Sequence, residues 1–148
     1  MTTTCQDIPD LSHKTAIYRS RPSKPAQLIY DRKLLKGRCL DYGCGHGVDA
    51  RAFGIEQYDK YFYPDRPKGL YKTIMCNYVI NTQPKHKEQA IIDDLLSLLT
   101  PNGRAYITVR RDIRADGLTK RGTYQRAVFL PLEKFFEEPH FCIYILES

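Results

Sequence analysis

Three glycines alternate in Asp41-Tyr42-Gly43-Cys44-Gly45-His46-Gly47, directly after the strand-like run Arg38-Cys39-Leu40. No other stretch restricts the fold as strongly. Glycine lacks the Cβ that bars positive φ, so a backbone built on it can turn sharply and lie against a flat ligand. A dinucleotide-binding turn needs G-x-G-x-x-G, and Val48 stands where its last glycine belongs. A phosphate-cradling loop ends in Gly-Lys-Ser/Thr, and neither residue follows Gly47. Three glycines after a strand also suit an ordinary strand-to-helix turn, so a second element is needed. In nucleoside-binding α/β folds an acid lies ~20 residues on, at the end of the second strand, where it receives ribose hydroxyls. Tyr58-Asp59-Lys60-Tyr61 falls at that distance. Asp59 is the expected acceptor, with Glu56 as its competitor.

An acid followed by G-x-G-x-G resembles motif I of the class I S-adenosylmethionine (SAM) methyltransferases. The resemblance implies SAM as cofactor, a ligand with a methionine and a nucleoside but no phosphate. It implies cofactor contacts from Asp41, Tyr42, Gly43, Cys44, Gly45, Gly47, Asp59, Lys60, Cys76 and Asn77. Asp41 orients the loop or meets the methionine ammonium, Asp59 accepts both ribose hydroxyls, and Asn77 contacts the methionine end. Asn77 and Tyr78 are the expected catalytic pair, Tyr78 stacking on the acceptor or facing the sulfonium as a cation–π partner.

Methyl transfer is an in-line displacement with a neutral leaving group. Holding donor and acceptor collinear supplies up to ~7–11 kcal/mol in ideal cases, so neither a metal nor a dedicated acid is expected. His46 and His86 are the nearest candidates for a base. Neither Cys44 nor Cys76 follows a proline, unlike the nucleophile of cytosine-C5 methyltransferases. The double-proline motif of base-amino methyltransferases is absent from Cys76-Asn77-Tyr78-Val79. That segment with Ile80-Asn81, then Ala105-Tyr106-Ile107-Thr108-Val109-Arg110-Arg111-Asp112 and Gly122-Thr123-Tyr124-Gln125, looks like small bacterial and phage methyltransferase-like proteins associated with DNA phosphorothioation. This likeness runs from about Lys36 to Val128.

The pattern of elements predicts an α/β fold, and the resemblance implies a minimal doubly wound Rossmann-like methyltransferase fold. Its sheet is mostly parallel, with about six strands, and lacks one helix–strand unit. Residues 1–22 read as an N-terminal arm and 23–148 as the SAM-binding domain. Ser23 caps a helix with Pro25 in its first turn, carrying Leu28, Ile29, Leu34 and Leu35 until Gly37. Strands follow at Arg38–Tyr42 and Ile55–Tyr61, with a short helix from Val48 to Phe53 between them. Pro64, Pro67 and Gly69 make a loop, and Tyr71–Ile80 is the next strand. In a full-size class I fold another helix and strand intervene here, so Phe62–Arg66 is the expected cover for adenine. Ile91, Ile92, Leu95, Leu96, Leu98 and Leu99 give an apolar stripe to a helix over His86–Leu99. Pro101-Asn102-Gly103 ends it before a strand at Arg104–Arg110. Strands at Tyr124–Leu130 and Phe141–Leu146 then flank a short helix near Leu132–Phe136, and the resemblance to the family implies that these two strands form an antiparallel hairpin at one edge. The arm and Arg111–Thr123 are expected to fold over the crevice as a lid.

The 148 residues carry a net charge of +6, with Arg104, Arg110, Arg111, Arg114, Lys120, Arg121 and Arg126 concentrated in the last third. A basic face permits a nucleic-acid partner. The five cysteines have no C-x-x-C spacing, which indicates neither zinc nor disulfides. No run approaches the ~20 apolar residues of a membrane span, and Met1–Asp7 lacks the blocks of a signal peptide. A cytoplasmic location is therefore expected. Two functional readings follow: an active SAM-dependent methyltransferase with an unassigned acceptor, or a non-catalytic SAM-binding module or partner subunit with a basic nucleic-acid-binding face.

Overall fold

The computed structural model describes residues 10–17 and 19–148; Cys5, Tyr18 and the start of the arm lie outside them. A six-stranded sheet has the order β2-β1-β3-β4-β8-β7. Its first four members are β1 (Cys39–Tyr42), β2 (Glu56–Tyr58), β3 (Tyr71–Asn77) and β4 (Leu99–Arg110), and they pair in parallel. β8 (Phe141–Glu147) joins β4 antiparallel, and β7 (Glu133–Glu137) closes that edge as a hairpin with β8. β5 (Gly117–Leu118) and β6 (Tyr124–Gln125) form a separate two-stranded ribbon.

Each central strand is apolar on both faces. Ile74, Cys76, Ala105, Ile107, Cys142 and Tyr144 point into one cluster, with Leu95 and Leu98 of α3 (Glu88–Ser97) and its end. Met75, Tyr106, Ile143 and Ile145 point into the other, with Ala26 and Ile29 of α1 (Lys24–Asp31). Period-two alternation with both faces covered is what a buried parallel sheet requires. Leu40, Ile74 and Ile107 are completely buried, each contributing about 1.5–3 kcal/mol relative to exposure.

β1 is the switch point of the sheet. The chain leaves it for β2 on one side and returns to β3 on the other. Residues 59–70 make that crossover without a helix or an added strand, as expected for a fold short of one unit. The carboxyl ends of β1, β2 and β3 therefore share one edge, where ligands of open α/β sheets bind.

Several local expectations are corrected. Leu132–Phe136 is not helical, since Glu133–Glu137 is β7 and takes the hairpin position assigned to Tyr124–Leu130. Of the latter only Tyr124 and Gln125 pair, with β5. β4 begins at Leu99, so Pro101-Asn102-Gly103 is a bulge within it. Tyr71 pairs with Leu99 while Thr73 pairs with Arg104, and Asn102 takes a φ of 64°. Leu96 faces outward. α1 ends at Asp31, and Leu34 and Leu35 reach the core from the turn that follows. Ser23 occupies the N-cap position, but its N–H and hydroxyl donate to Asp49 at 2.7 and 2.8 Å.

Candidate active site

The glycine loop is built by its neighbours. Gly43, Gly45 and Gly47 have φ of 75°, 56° and 79°, a region that side chains rarely adopt. The N–H groups of Gly43 and Cys44 both donate to the Tyr58 carbonyl, at 2.7 and 3.0 Å. The Gly45 N–H donates to Asp59 Oδ2 at 2.8 Å. A Cβ on Gly43 would lie 2.3 Å from Val79 Cγ2, and one on Gly45 would lie 3.1 Å from the Ala16 Cβ. Gly47 then opens α2 (Val48–Phe53).

A cavity of about 1050 Å³ lies on this loop, the size class of sites for cofactor-sized ligands. Asp41, Tyr42, Gly43, Cys44, Gly45, His46, Asp59, Lys60, Asn77 and Tyr78 all line it. Of the expected cofactor residues, Gly47 and Cys76 do not. The Cys76 side chain is fully buried in the core beneath the site, because its position on β3 alternates away from that of Asn77. His86 is exposed and off the cavity. Glu56 is also off it, at the opposite end of β2, where it pairs with Arg38 at 2.6 Å and accepts from the Tyr71 hydroxyl at 2.9 Å. That leaves Asp59 as the acid of the pair facing the cavity.

Asp59 already carries three hydrogen bonds. Its Oδ2 accepts from Gly45, and its Oδ1 from the N–H groups of Tyr61 and Phe62 at 2.9 and 3.0 Å. A carboxylate offers about four lone-pair sites, so this arrangement leaves room for one ribose hydroxyl rather than two. Asp41 differs. It is 2% exposed and lines the cavity. Burial, with the charges of Asp49 and Asp59, pushes its carboxyl well above the ordinary range. The same burial and the charges of Asp41 and Asp59 push the Cys44 thiol up, which disfavours the thiolate that a nucleophile requires.

Asn77 is fixed at the end of β3, its Oδ1 accepting from Thr108 Oγ1 at 2.7 Å. Tyr78 follows at a φ of 61°, held by its N–H to the Thr108 carbonyl at 2.9 Å. Its ring meets Phe141 edge-on, and burial pushes its phenol up to about 12. A non-glycine residue in this region costs of order 1–3 kcal/mol and concentrates at functional sites.

Part of the wall carries no motif that would mark it in the sequence. The Ala90, Ile91, Asp94 and Ser97 side of α3 lines the cavity, although Asp93-Asp94 reads as a solvated helix face. Phe62–Arg66 does not line it; Tyr58 and Tyr61 do. The described residues of the arm lie over the loop. Ser12, His13, Ala16 and Arg19 line the cavity, His13 stacks on Tyr61 at 3.8 Å, and Asp10 pairs with Lys60. Arg111–Thr123 contributes nothing to the lining.

The basic residues of the last third are largely paired. Arg104 meets Glu147, Arg110 meets Asp112 and Arg111 meets Glu137. Arg126 is no surface charge, being 4% exposed and bound to Glu88 at 2.9 Å and the Gln83 carbonyl at 2.6 Å. Among the described residues no helix is long and apolar enough to cross a membrane.

Among solved structures the chain is similar to the 1,6-didemethyltoxoflavin-N1-methyltransferase of Burkholderia thailandensis, solved with 1,6-didemethyltoxoflavin and S-adenosylhomocysteine. The identity is 13%, over 84% of this chain and 77% of that one, with a TM-score of 0.63. It is also similar to the N-methyltransferase NodS of Bradyrhizobium japonicum, solved with S-adenosylhomocysteine, at 13% identity over 94% and 97% and a TM-score of 0.55. A third similar structure, the DhpI complex with S-adenosylhomocysteine, gives 14% over 82% and 81%, with a TM-score of 0.58. No curated protein matches. At these identities the likeness is one of fold. The family match is independent of it, covering residues 15–148 and hence the arm's end, the glycine loop and the whole sheet. The chain belongs to the methyltransferase domain family.

Proposed function

We propose that this chain is an active SAM-dependent methyltransferase and that the cavity on the glycine loop binds the cofactor. The observation that carries the reading is Asp41. A buried carboxyl is costly to ionise without a partner charge, and here it lines a cavity bedded on glycines. A ligand that brings an ammonium group to it removes that cost. In this reading Asp41 receives the methionine ammonium, the Asn77 amide contacts the methionine end, and Asp59 both holds Gly45 and accepts one ribose hydroxyl. Lys60 holds the arm through Asp10.

When bound, SAM supplies an electrophilic methyl group on a sulfonium, which an acceptor displaces in line. The residues of this chain orient and exclude water. Tyr78, pinned through Thr108 and Phe141, presents its ring and hydroxyl at the end of β3 where the acceptor must approach. Its phenol stays protonated at neutral pH, so it donates a hydrogen bond or offers its π face, and does not act as a base. The arm, laid over Gly45, keeps the donor dry.

The test is transfer of a labelled methyl group from SAM, screened against small-molecule, protein, DNA and RNA fractions. Label in one fraction, lost in Tyr78→Ala with cofactor affinity retained, supports the reading. Cofactor binding with no transfer to any fraction would favour a non-catalytic SAM-binding module.

The cavity's own charges favour a small acceptor over a polyanion, since Asp10, Asp49, Asp59, Asp93 and Asp94 line it against Arg19, Lys60 and Lys87. Arg114, Lys120 and Arg121, beside the β5–β6 ribbon and off the cavity lining, are the basic group to test for nucleic-acid binding.

A further inference from the structure

The crossover from β2 to β3 leaves out the helix and strand that would wall the nucleoside end of such a site. Beside Tyr58 stands a side-chain cluster that no motif predicts. The Arg66 guanidinium reaches from the crossover to α3 and pairs with both oxygens of Asp94, one contact measuring 2.8 Å. The Tyr42 hydroxyl, at the end of β1, donates to Asp94 Oδ2 at 2.5 Å. The guanidinium lies 5.6 Å from the Tyr58 ring centre, and the Tyr58 and Tyr42 rings are 5.4 Å apart. Tyr42, Tyr58 and Asp94 all line the cavity, whereas Arg66 stands behind them. The Arg66–Asp94 ion pair and the Tyr42 hydrogen bond thus tie the crossover, β1 and α3 together at Asp94.

We propose that Asp94 is the residue that selects adenine, and that Arg66 and Tyr42 are positioning residues that hold its carboxylate in place. The inference rests on the cofactor reading above. A carboxylate only accepts. Oδ2 already takes bonds from Tyr42 and Arg66, while Oδ1 takes one from Arg66, which leaves Oδ1 able to accept from one more donor. The exocyclic amine of adenine is such a donor. The carbonyl of hypoxanthine at the same ring position is an acceptor and is repelled. The flat base has Tyr58 and Tyr42 on one side and the Ile91 side chain on α3 as apolar surface.

The experiment compares S-adenosylhomocysteine with its inosine counterpart by calorimetry, in the parent chain, Asp94→Asn and Arg66→Met. The parent is expected to prefer the adenosine compound by about tenfold or more, because the wrong base leaves a polar group unpaired. Asp94→Asn keeps the shape, but its amide can turn to donate, so the preference should shrink to within about threefold. Arg66→Met should shrink it in the same direction by loosening the carboxylate. A general loss of structure weakens both ligands together and leaves their ratio unchanged, so an unchanged ratio in Asp94→Asn overturns the proposal. A parent that binds the two ligands equally well also overturns it, while leaving the cofactor reading intact. A parent that binds neither overturns the cofactor reading itself.

Discussion

Asp41 sets function against stability. Its folded-state pKa is raised by burial and by the neighbouring carboxylates Asp49 and Asp59, so the folded chain holds a proton that the unfolded chain releases near pH 4. Stability from this group is therefore lost as pH rises from the unfolded value toward the folded one. Asp41→Asn removes that loss. Thermal or urea unfolding at pH 7 should find the variant at least as stable as the parent, and equal stability losses at pH 5 and pH 7 would contradict the assignment. The glycines make a second comparison. Alanine at Gly43 or Gly45 carries the same left-handed penalty, about 1 kcal/mol. At Gly43 the new Cβ also meets Val79 within the fold, at 2.3 Å, whereas at Gly45 it meets Ala16 of the arm at 3.1 Å. Overpacking of the first kind costs a further ~1–3 kcal/mol. Gly43→Ala should thus lower the unfolding midpoint clearly more than Gly45→Ala. Gly45→Ala should act mainly on ligand affinity, by lifting the arm.

The elements that were legible in the sequence are those whose burial pattern has one interpretation. β3 and β8 alternate between two apolar faces, and the glycine loop could only follow a strand. β7 was misread for a specific reason. Leu132, Phe135 and Phe136 have helical spacing, but the register shift between Lys134 and Phe136 turns both phenylalanines toward one core cluster, as a bulge does. The segment after Gln125 does alternate, with Arg126, Val128 and Leu130 buried and Phe129 exposed. Periodicity revealed the burial, but it could not reveal that β7 takes the place beside β8. Arg126 ties this segment to Glu88 and to the Gln83 carbonyl next to the cavity. Removing one partner of so buried a pair costs about 3–5 kcal/mol, so Arg126→Met should lower stability by several kcal/mol in denaturant unfolding. A loss below about 1 kcal/mol, the range of exposed pairs, would show the pair to be peripheral. The arm is the other element on which the structure sharpens expectation. Because His13 and Ala16 lie on Tyr61 and Gly45, deleting residues 1–20 should weaken cofactor binding as well as transfer. Retained affinity with lost transfer would confine the arm to the acceptor side.

Across the whole molecule, acid sensitivity follows from the paired carboxylates. Hydrogen bonds from Arg66 hold Asp94 below its ordinary pKa, and Arg110 does the same for Asp112. Burial works to raise Glu88, but Lys85 and Arg126 overcome it. Each depressed group contributes stability that is present above its unfolded pKa of about 4 and lost as pH falls through the folded value. Unfolding midpoints should fall steeply below pH 4, and less steeply in Arg126→Met, where Glu88 loses its buried partner. The overall charge of +6 does not describe the cavity, which carries the opposite sign; only the folded arrangement separates the two. The missing helix–strand unit was visible in the sequence as a short, proline-broken crossover. What replaced it was not, because Arg66 and Asp94 are 28 residues apart and each alone reads as an ordinary surface charge. The glycine-loop cavity is proposed to hold a ligand with both an ammonium group and a nucleoside. Calorimetric titration of S-adenosylhomocysteine into the parent and Asp41→Asn chains, in two buffers of different ionisation enthalpy, tests it directly. The predicted result is one-to-one binding with release of the Asp41 proton in the parent. In Asp41→Asn, binding should be about 10–150-fold weaker, with no such release. Absence of binding, or equal affinity and equal proton release in the two chains, would contradict it.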